Sequence, residues 1–171
     1  LHYPLRRQRQ MCIRDRINGV KDATALVSLL STNVDKDVID SGKNLKIIAN
    51  YGAGFNNVDI DYAREKGIDV TNTPKASTNA TADLTIGLIL SVARRIVEGD
   101  ELSRTKGFDG WAPLFFRGRE VSEKTIGIIG LGEIGGAVAK RARAFDMDVL
   151  YTGPHRKEEK ERDIGAKYVD L

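Results

Sequence analysis

Residues that build disulfides and metal sites are scarce in this sequence. Its 171 residues include one cysteine, Cys12, and two histidines, His2 and His155. A disulfide within the chain needs two cysteines, and a Cys/His zinc site after residue 16 would have His155 as its single ligand, so neither can be assembled. Cys12 and His2 also fall in an N-terminal segment of unusual composition. Outside that segment, His155 is the single histidine and there is no cysteine. We therefore expect no metal site.

Long apolar runs are missing as well. No stretch approaches the roughly 18 consecutive apolar residues that a membrane-spanning helix requires. The N-terminus is rich in arginine and lacks the apolar run of a secretory signal. We expect a cytoplasmic protein that has no membrane partner.

The excess of basic residues, which gives a sequence pI near 9.0, is confined to the N-terminus. Residues 1–16 hold five of the 27 basic residues and one of the 24 acidic residues, so the rest carries 22 and 23. This balance argues against nucleic acid as a partner.

The segment from Gln10 to Asp15 resembles the translation of a transposon-end adapter used in sequencing libraries. We predict that residues 1–16 are a non-native tail, disordered or packed only incidentally; a native basic tail is the alternative.

Short apolar runs alternate with helical patterns from Ile17 onward. Residues 25–30, 45–50 and 69–72 have the apolar and β-branched composition of strands. Residues 60–66 form a short helical pattern that Gly67 ends. Because strands that alternate with helices build parallel sheets, we predict an α/β protein.

A second helical pattern runs from about Ala80 to Arg95 and is apolar on most of its circumference. We expect this helix to lie between two packed surfaces. The polar residues 75–79 are expected to supply capping oxygens at its start. The glycines of residues 106–120 predict a loop before the next strand.

The turn from Gly130 to Gly135 carries the strongest functional signal. It follows the predicted strand 126–129 directly and opens a helix. Gly130 would make the tight turn, Gly132 would let a pyrophosphate approach the backbone, and Gly135 would let helix and strand pack closely. The N–H groups at the helix start, those of Glu133 and Ile134 included, would bind the phosphates. A glycine turn without a ligand is the alternative.

The end of the next predicted strand, 147–151, bears on the choice of cofactor. In NAD-binding domains an acid about 20 residues after the glycine turn binds the ribose 2′-hydroxyl, and no acid stands there in the segment 152–157. Arg156 and Lys157 would instead pair with a 2′-phosphate. The sequence thus predicts a preference for NADP(H), with NAD(H) possible, unless both residues are ordinary surface cations.

Several spaced motifs resemble those of the D-isomer-specific 2-hydroxyacid dehydrogenases, in unbroken order from about Ile17 to Leu171. Besides the glycine turn, they are Asn50-Tyr51-Gly52-Ala53-Gly54-Phe55-Asn56-Asn57-Val58-Asp59, Gly67-Ile68, Asn72-Thr73-Pro74, Thr81-Ala82-Asp83-Leu84-Thr85 and Arg94-Arg95. Within the family the chain is most similar to the glyoxylate/hydroxypyruvate reductases. Leu150-Tyr151-Thr152-Gly153 followed by basic residues resembles their NADP-preferring members.

The resemblance implies two α/β domains. Residues 17–75 would be part of a flavodoxin-like substrate-binding domain, and residues 76–171 part of a Rossmann-like, doubly wound NAD(P)-binding domain. Ala53 and Gly54 would hold the carboxylate of a small 2-oxo or 2-hydroxy acid through their backbone N–H groups. Thr81 would join the glycine turn in binding the cofactor. The parent enzyme would be a homodimer.

The family's catalytic arginine, histidine and acid would all lie beyond Leu171, so we predict no catalytic residue in this chain. His155 cannot substitute, because it follows the strand at the adenosine end of the cofactor site. The chain is thus expected to be a fragment, inactive alone, of an NAD(P)-dependent enzyme that reduces a glyoxylate-like or hydroxypyruvate-like 2-oxo acid by hydride transfer. An NAD(H)-sensing, corepressor-like interaction protein of the same fold is the alternative.

Overall fold

A computed structural model describes residues 13–107 and 110–170. The chain divides into two compact units, Leu1–Ala76 and Ser77–Leu171. Residues 1–12, most of the predicted tail, lie outside the described part. Within the described part, no helix is long and apolar enough to cross a membrane.

The first unit is a three-stranded parallel sheet with short helices between its strands. Its elements are α1 (Ile13–Val20), β1 (Ala25–Leu29), α2 (Lys36–Ser41), β2 (Ile47–Tyr51), α3 (Ile60–Glu65) and β3 (Asp69–Thr71), and the strand order is β1-β2-β3. The register pairs Ala25 with Ile47 and Ile47 with Asp69. Gly67 follows α3 with φ +72, the left-handed conformation expected after the helix.

One face of this sheet is buried beneath α-helical and loop residues. Alternation along the strands puts Ile48 in the core, where it meets Val34 and Val38. The opposite face carries Val27 and Tyr51, which are largely exposed. All three predicted strands are found, with ends that differ by one or two residues.

The second unit begins with two helices, α4 (Thr78–Ala93) and α5 (Ile96–Thr105), and continues as a parallel sheet. Its other elements are β4 (Thr125–Ile129), α6 (Glu133–Ala144), β5 (Asp148–Thr152), α7 (Glu158–Ile164) and β6 (Ala166–Tyr168), with strand order β4-β5-β6. Its core joins Leu131 and Ala139 to Val149 and Tyr151. The predicted α/β class with parallel sheets is confirmed.

Residues 1–16 were expected to be disordered or packed only incidentally, and helix α1 rules out disorder for residues 13–16. They form its first turns, in which Asp15 complements the helix dipole, and the helix ends on the buried Val20. Arg16 donates from Nη1 to the Asn33 carbonyl, whereas its buried Nε has no partner among the described residues. The non-native origin of residues 1–16 stays a prediction.

Helix α4 also departs from expectation. Leu84, Leu88 and Val92 remain 63%, 58% and 80% exposed, so the described residues cover this helix on one side only, where it packs on α6. Its N-cap, Ser77, makes no side-chain capping bond. The helix ends at Ala93 because Arg95 adopts a left-handed backbone, φ 56, and a separate helix, α5, follows.

Candidate functional site

The turn between β4 and α6 has the geometry that its glycines predict. Gly130 has φ +93, a conformation that favours glycine, and its N–H donates to the Thr152 carbonyl at 2.8 Å. A Cβ on Gly135 would collide with the Gly130 carbonyl oxygen and lie 3.2 Å from Ile128 Cγ2 on β4. The absence of a side chain at Gly135 therefore allows the helix start to pack against the strand and turn.

The N-terminus of α6 is open for an anion. Gly132 is its N-cap, no side chain caps the helix, and a Cβ at Gly132 would meet nothing within 4 Å. The N–H groups of Gly132, Ile134 and Gly135 have no acceptor among the residues that the structure describes. Unpaired N–H groups at the positive end of a helix dipole are the groups that bind phosphate.

Two side chains meet at this turn that spacing in the sequence did not reveal. Lys160 of α7 donates from Nζ to the Gly132 carbonyl at 3.0 Å and pairs with Glu133 Oε1 at 3.1 Å. The sequence predicts a role for the backbone N–H of Glu133, and its side chain adds this ion pair. Lys160 lies 27 residues further along the chain, so only the packing of α7 on α6 brings the two together.

The end of β5 lies beside the glycine turn, since the register pairs Ile129 with Thr152. Arg156 follows this strand and forms a two-bond ion pair with Glu161 of α7, Nε to Oε1 at 2.8 Å and Nη2 to Oε2 at 2.9 Å. A carboxylate therefore stands beside Arg156, although the segment 152–157 contains no acid. The acid comes from the following helix, where a search of the strand end could not find it.

Glu161 is the centre of a hydrogen-bond network at this strand end. The Tyr151 hydroxyl donates to Glu161 Oε1 at 2.6 Å and accepts from the Lys157 backbone N–H at 2.7 Å. Bonds from Arg156 and Tyr151 lower the pKa of Glu161 to about 2. Burial raises the pKa of Tyr151. The Lys157 side chain is exposed, and its ammonium has no carboxylate partner in the described part of the chain.

The loop after β2 contains the predicted substrate-binding residues. The Ala53 carbonyl accepts from Asn72 Nδ2 at 2.8 Å, and the Gly54 carbonyl accepts from Asn50 Nδ2 at 2.8 Å. The N–H groups of Ala53 and Gly54 have no acceptor among the described residues. A Cβ at Gly52 would overlap the Leu30 side chain, which would have to shift. The loop is thus fixed through its carbonyls, and its N–H groups are available.

A buried amide network supports this loop. Asn50, which is 2% exposed, accepts from Ser28 Oγ at 2.8 Å and exchanges bonds with Asn57 at 3.0 and 3.1 Å. Asn57 also donates to the carbonyls of Leu29 and Thr32. The two asparagines belong to the motif that resembles the family, but their pairing became visible only in the fold.

Thr81 lies half-buried in the first turns of α4. Its N–H donates to the Ser77 carbonyl and its own carbonyl accepts from Thr85 Oγ1. These contacts are those of a helical residue, and its predicted role in cofactor binding stays a prediction. No group of three or more potential metal ligands occurs in the described part.

Comparison with known proteins places this geometry in a family. Residues 5–161 match the family described as "D-isomer specific 2-hydroxyacid dehydrogenase, catalytic domain". A protein named as a 2-hydroxyacid dehydrogenase from Staphylococcus aureus (strain MRSA252) is 90% identical over 155 residues, which are 91% of this chain and 49% of that protein. A solved structure from Thermus thermophilus has a TM-score of 0.82 at 39% identity and covers 92% of this chain and 49% of its own.

Other solved relatives name substrates and cofactors. A glyoxylate reductase from Paecilomyes thermophila is 36% identical with a TM-score of 0.74 and covers 92% of this chain and 49% of its own. A D-lactate dehydrogenase from Aquifex aeolicus, complexed with NAD and lactic acid, is 27% identical (TM-score 0.76, 90% of this chain, 45% of its own). An acyclic imino acid reductase in complex with NADPH and D-Arg is 29% identical (TM-score 0.76, 92% and 49%). Both nicotinamide cofactors thus occur among the structural neighbours.

The chain spans about half the length of the curated relatives that it matches. The family match itself extends over most of this chain and agrees with the parallel α/β units and the glycine turn described above. The chain therefore belongs to the D-isomer-specific 2-hydroxyacid dehydrogenase family.

Proposed function

We propose that this chain is part of an NAD(P)-dependent enzyme that reduces a small 2-oxo acid, of glyoxylate or hydroxypyruvate type, by hydride transfer. One observation carries the proposal: at the glycine turn after β4, the N–H groups of Gly132, Ile134 and Gly135 have no acceptor among the described residues, and Gly132 leaves that approach open. The group that binds there, a nicotinamide dinucleotide, supplies the hydride. This chain's residues bind its pyrophosphate.

The substrate end of the proposal rests on the loop after β2. Ala53 and Gly54 have N–H groups without acceptors among the described residues, and the buried Asn50 holds the Gly54 carbonyl. Two adjacent backbone N–H groups suit a carboxylate, which accepts with both oxygens. Similarity to a glyoxylate reductase supports a small 2-oxo acid as the substrate. By this assignment residues 17–75 belong to the substrate-binding domain and residues 76–171 to the cofactor domain.

The preferred cofactor is NADP(H), and NAD(H) is the second choice. Glu161 occupies Nε and Nη2 of Arg156 and leaves the third nitrogen, Nη1, with no bond to it. The carboxylate is 12% exposed and the guanidinium side chain 58%, so the cation is the more accessible member of the pair. Lys157 adds a second exposed positive charge. A 2′-phosphate would find two cations here, and Glu161 is already paired with Arg156.

Titration with both cofactors tests this preference. We expect NADPH to bind at least about tenfold more tightly than NADH, since a charge-assisted contact contributes about 1.5 to 3 kcal/mol when well formed and less when exposed. The double substitution Arg156→Ala and Lys157→Ala should remove the preference and leave NADH affinity nearly unchanged. Replacing the exposed Lys167 of β6 by Ala is the matched control. Equal affinities in the unmodified protein, or equal losses of both cofactors in the double variant, would contradict the assignment.

We further propose that the parent enzyme is a homodimer. Leu84, Leu88 and Val92 recur at every fourth residue of α4 and form an exposed apolar stripe. A second copy of this surface would cover it. Sedimentation of a full-length enzyme tests the dimer. A cytoplasmic location stays a prediction.

A further inference from the structure

Lys160 of α7 touches the glycine turn at two points, although it lies in another element. Its Nζ is 3.0 Å from the Gly132 carbonyl oxygen and 3.1 Å from Glu133 Oε1. Its stem passes over Gly136, where an added Cβ would lie 3.9 Å from Nζ and 4.0 Å from Cδ. The side chain is 36% exposed, so it is partly enclosed between α6 and α7.

The charge of Glu133 makes this contact significant. Glu133 is the first residue of α6, beside the N–H groups that would receive a pyrophosphate. An acid in this turn stabilises the free helix through the helix dipole, but it repels an anion that binds at the same place. The ammonium of Lys160 neutralises the Glu133 carboxylate and so reduces its repulsion of a bound anion.

The bond to Gly132 acts on the backbone. Gly132 is the N-cap, and its carbonyl also accepts from the Gly136 N–H at 3.0 Å. Holding this oxygen toward α7 keeps the carbonyl dipole fixed while the N–H groups of the turn face outward. A fixed turn does not have to be ordered when the ligand binds, and this lowers the cost of binding.

We propose that Lys160 is a positioning residue for the dinucleotide pyrophosphate: it fixes the glycine turn and cancels the charge of Glu133. The inference rests on the proposed cofactor function and deepens it. Lys160 acts at the pyrophosphate, which NADH and NADPH share, whereas Arg156 and Lys157 act at the 2′-phosphate. Loss of Lys160 should therefore weaken NADH and NADPH alike, whereas loss of Arg156 and Lys157 should weaken NADPH alone.

The chain provides a matched control. Lys140 of α6 pairs with Asp163 of α7 at 2.8 Å, which is also an ion pair between the same two helices, and both side chains are largely exposed. It does not involve the glycine turn. Any effect that comes only from connecting α6 to α7 should be as large in Lys140→Met as in Lys160→Met.

The experiment measures dissociation constants of NADH and NADPH for the chain and its variants by calorimetry, with melting temperatures alongside. Lys160→Met should weaken both cofactors by the same factor, about threefold to tenfold, while Lys140→Met changes neither. Lys160→Arg should recover part of the affinity. Adding Glu133→Gln to Lys160→Met should also recover part, because the negative charge that Lys160 faced is then gone.

Three outcomes would overturn the inference. Unchanged affinity in Lys160→Met, or a loss equal to that in Lys140→Met, would leave Lys160 a helix connection only. A loss confined to NADPH would place Lys160 at the 2′-phosphate. If the unmodified chain binds neither cofactor, the proposed function of this chain fails and this inference fails with it, whereas the first two outcomes leave the proposed function intact.

Discussion

The glycines of the turn differ in what a methyl group would meet. At Gly135 an added Cβ would collide with the Gly130 carbonyl oxygen, a backbone atom that cannot move aside cheaply, whereas at Gly132 it would enter open space. We expect Gly135→Ala to lower the free energy of unfolding by about 2 kcal/mol or more, since overpacking a fixed site costs about 1 to 3 kcal/mol.

Gly132→Ala should behave in the opposite way. Its backbone, φ −79 and ψ −152, suits any residue, so stability should change by less than about 1 kcal/mol. The methyl group would occupy the space through which a pyrophosphate approaches, so affinity for both cofactors should fall by about tenfold or more, a loss of about 1.4 kcal/mol. Denaturant unfolding and cofactor titration of the two variants check the pair. Full affinity in Gly132→Ala would contradict a ligand at this turn.

The pKa of Glu161 predicts a stability effect in acid. Arg156 and Tyr151 lower this pKa from 4.5 to about 2, so the folded state binds the proton less readily than the unfolded chain. The resulting stabilisation is fully present above pH 4.5 and is lost as the pH falls toward 2. Glu161→Gln should therefore lower the melting temperature at pH 7, and the difference from the unmodified protein should shrink between pH 4.5 and 2.

A neighbouring glutamate is the control for this effect. Glu159 is exposed on the same helix and has no ion-pair partner in the part of the chain described. Glu159→Gln should change the melting temperature little at any of these pH values. A Glu161→Gln difference that stays constant from pH 7 to pH 2 would show that the effect does not come from ionisation.

The sequence predicted the tight turn at Gly130 and the close packing at Gly135, because each depends on its immediate neighbours in the chain. It could not predict Lys160 or Glu161 at the site. Both belong to a charged run that reads as a solvated helix face, and their partners lie on other segments. Only the way in which α7 packs on α6 and on the end of β5 decides which of these charges face the site.

Secondary-structure elements were predictable where apolar spacing or glycine punctuates the chain. The strands and α3 meet that condition, and so does α6. The break between α4 and α5 does not, because Arg95 takes the left-handed backbone at a position with no glycine or proline. The prediction that α4 lies between two packed surfaces was wrong for the described residues, because they cover only one side of this helix.

Helix α1 provides the test of the proposed tail. Removing residues 1–16 would delete the bond from Arg16 to the Asn33 carbonyl, but it would also delete a buried Nε that has no partner among the described residues. We expect these effects to offset, so the free energy of unfolding should fall by no more than about 1 kcal/mol. Removing residues 1–20 also deletes the buried Val20 and should cost about 2 kcal/mol more. A larger loss for the first deletion would contradict a non-native tail.

The whole molecule combines two units whose sheets each expose apolar residues. Val27 and Tyr51 are exposed on the first sheet and Ile129 on the second, at 73%, 72% and 80%.

The family could be predicted from the order of motifs, because several short patterns in fixed sequence are specific even when each alone is weak. The substrate could not, since the only substrate-directed groups proposed here, the N–H groups of Ala53 and Gly54, would recognise any carboxylate.

The proposed function predicts that this chain binds the cofactor but does not catalyse the reaction. By the proposal above, this chain binds the pyrophosphate at its glycine turn, whereas the catalytic residues that the family resemblance implies are expected outside it. General acid catalysis alone contributes about 10² to 10⁴ in rate. We therefore expect the chain to bind NADPH and to leave glyoxylate and hydroxypyruvate unreduced. Fusing it to the half of the Staphylococcus aureus relative that it does not cover should restore reduction, because the two are 90% identical where they overlap.

The rate of NADPH oxidation with each 2-oxo acid distinguishes the outcomes. Oxidation above the uncatalysed rate by the chain alone would contradict the prediction that it is inactive, because it would place the proton donor within these 171 residues. A fusion that binds NADPH tightly and reduces no 2-oxo acid would favour the sensing, corepressor-like protein instead. If the fusion is active, Gly132→Ala should raise the KM for NADPH, since in the proposed function the glycine turn contributes through binding of the cofactor.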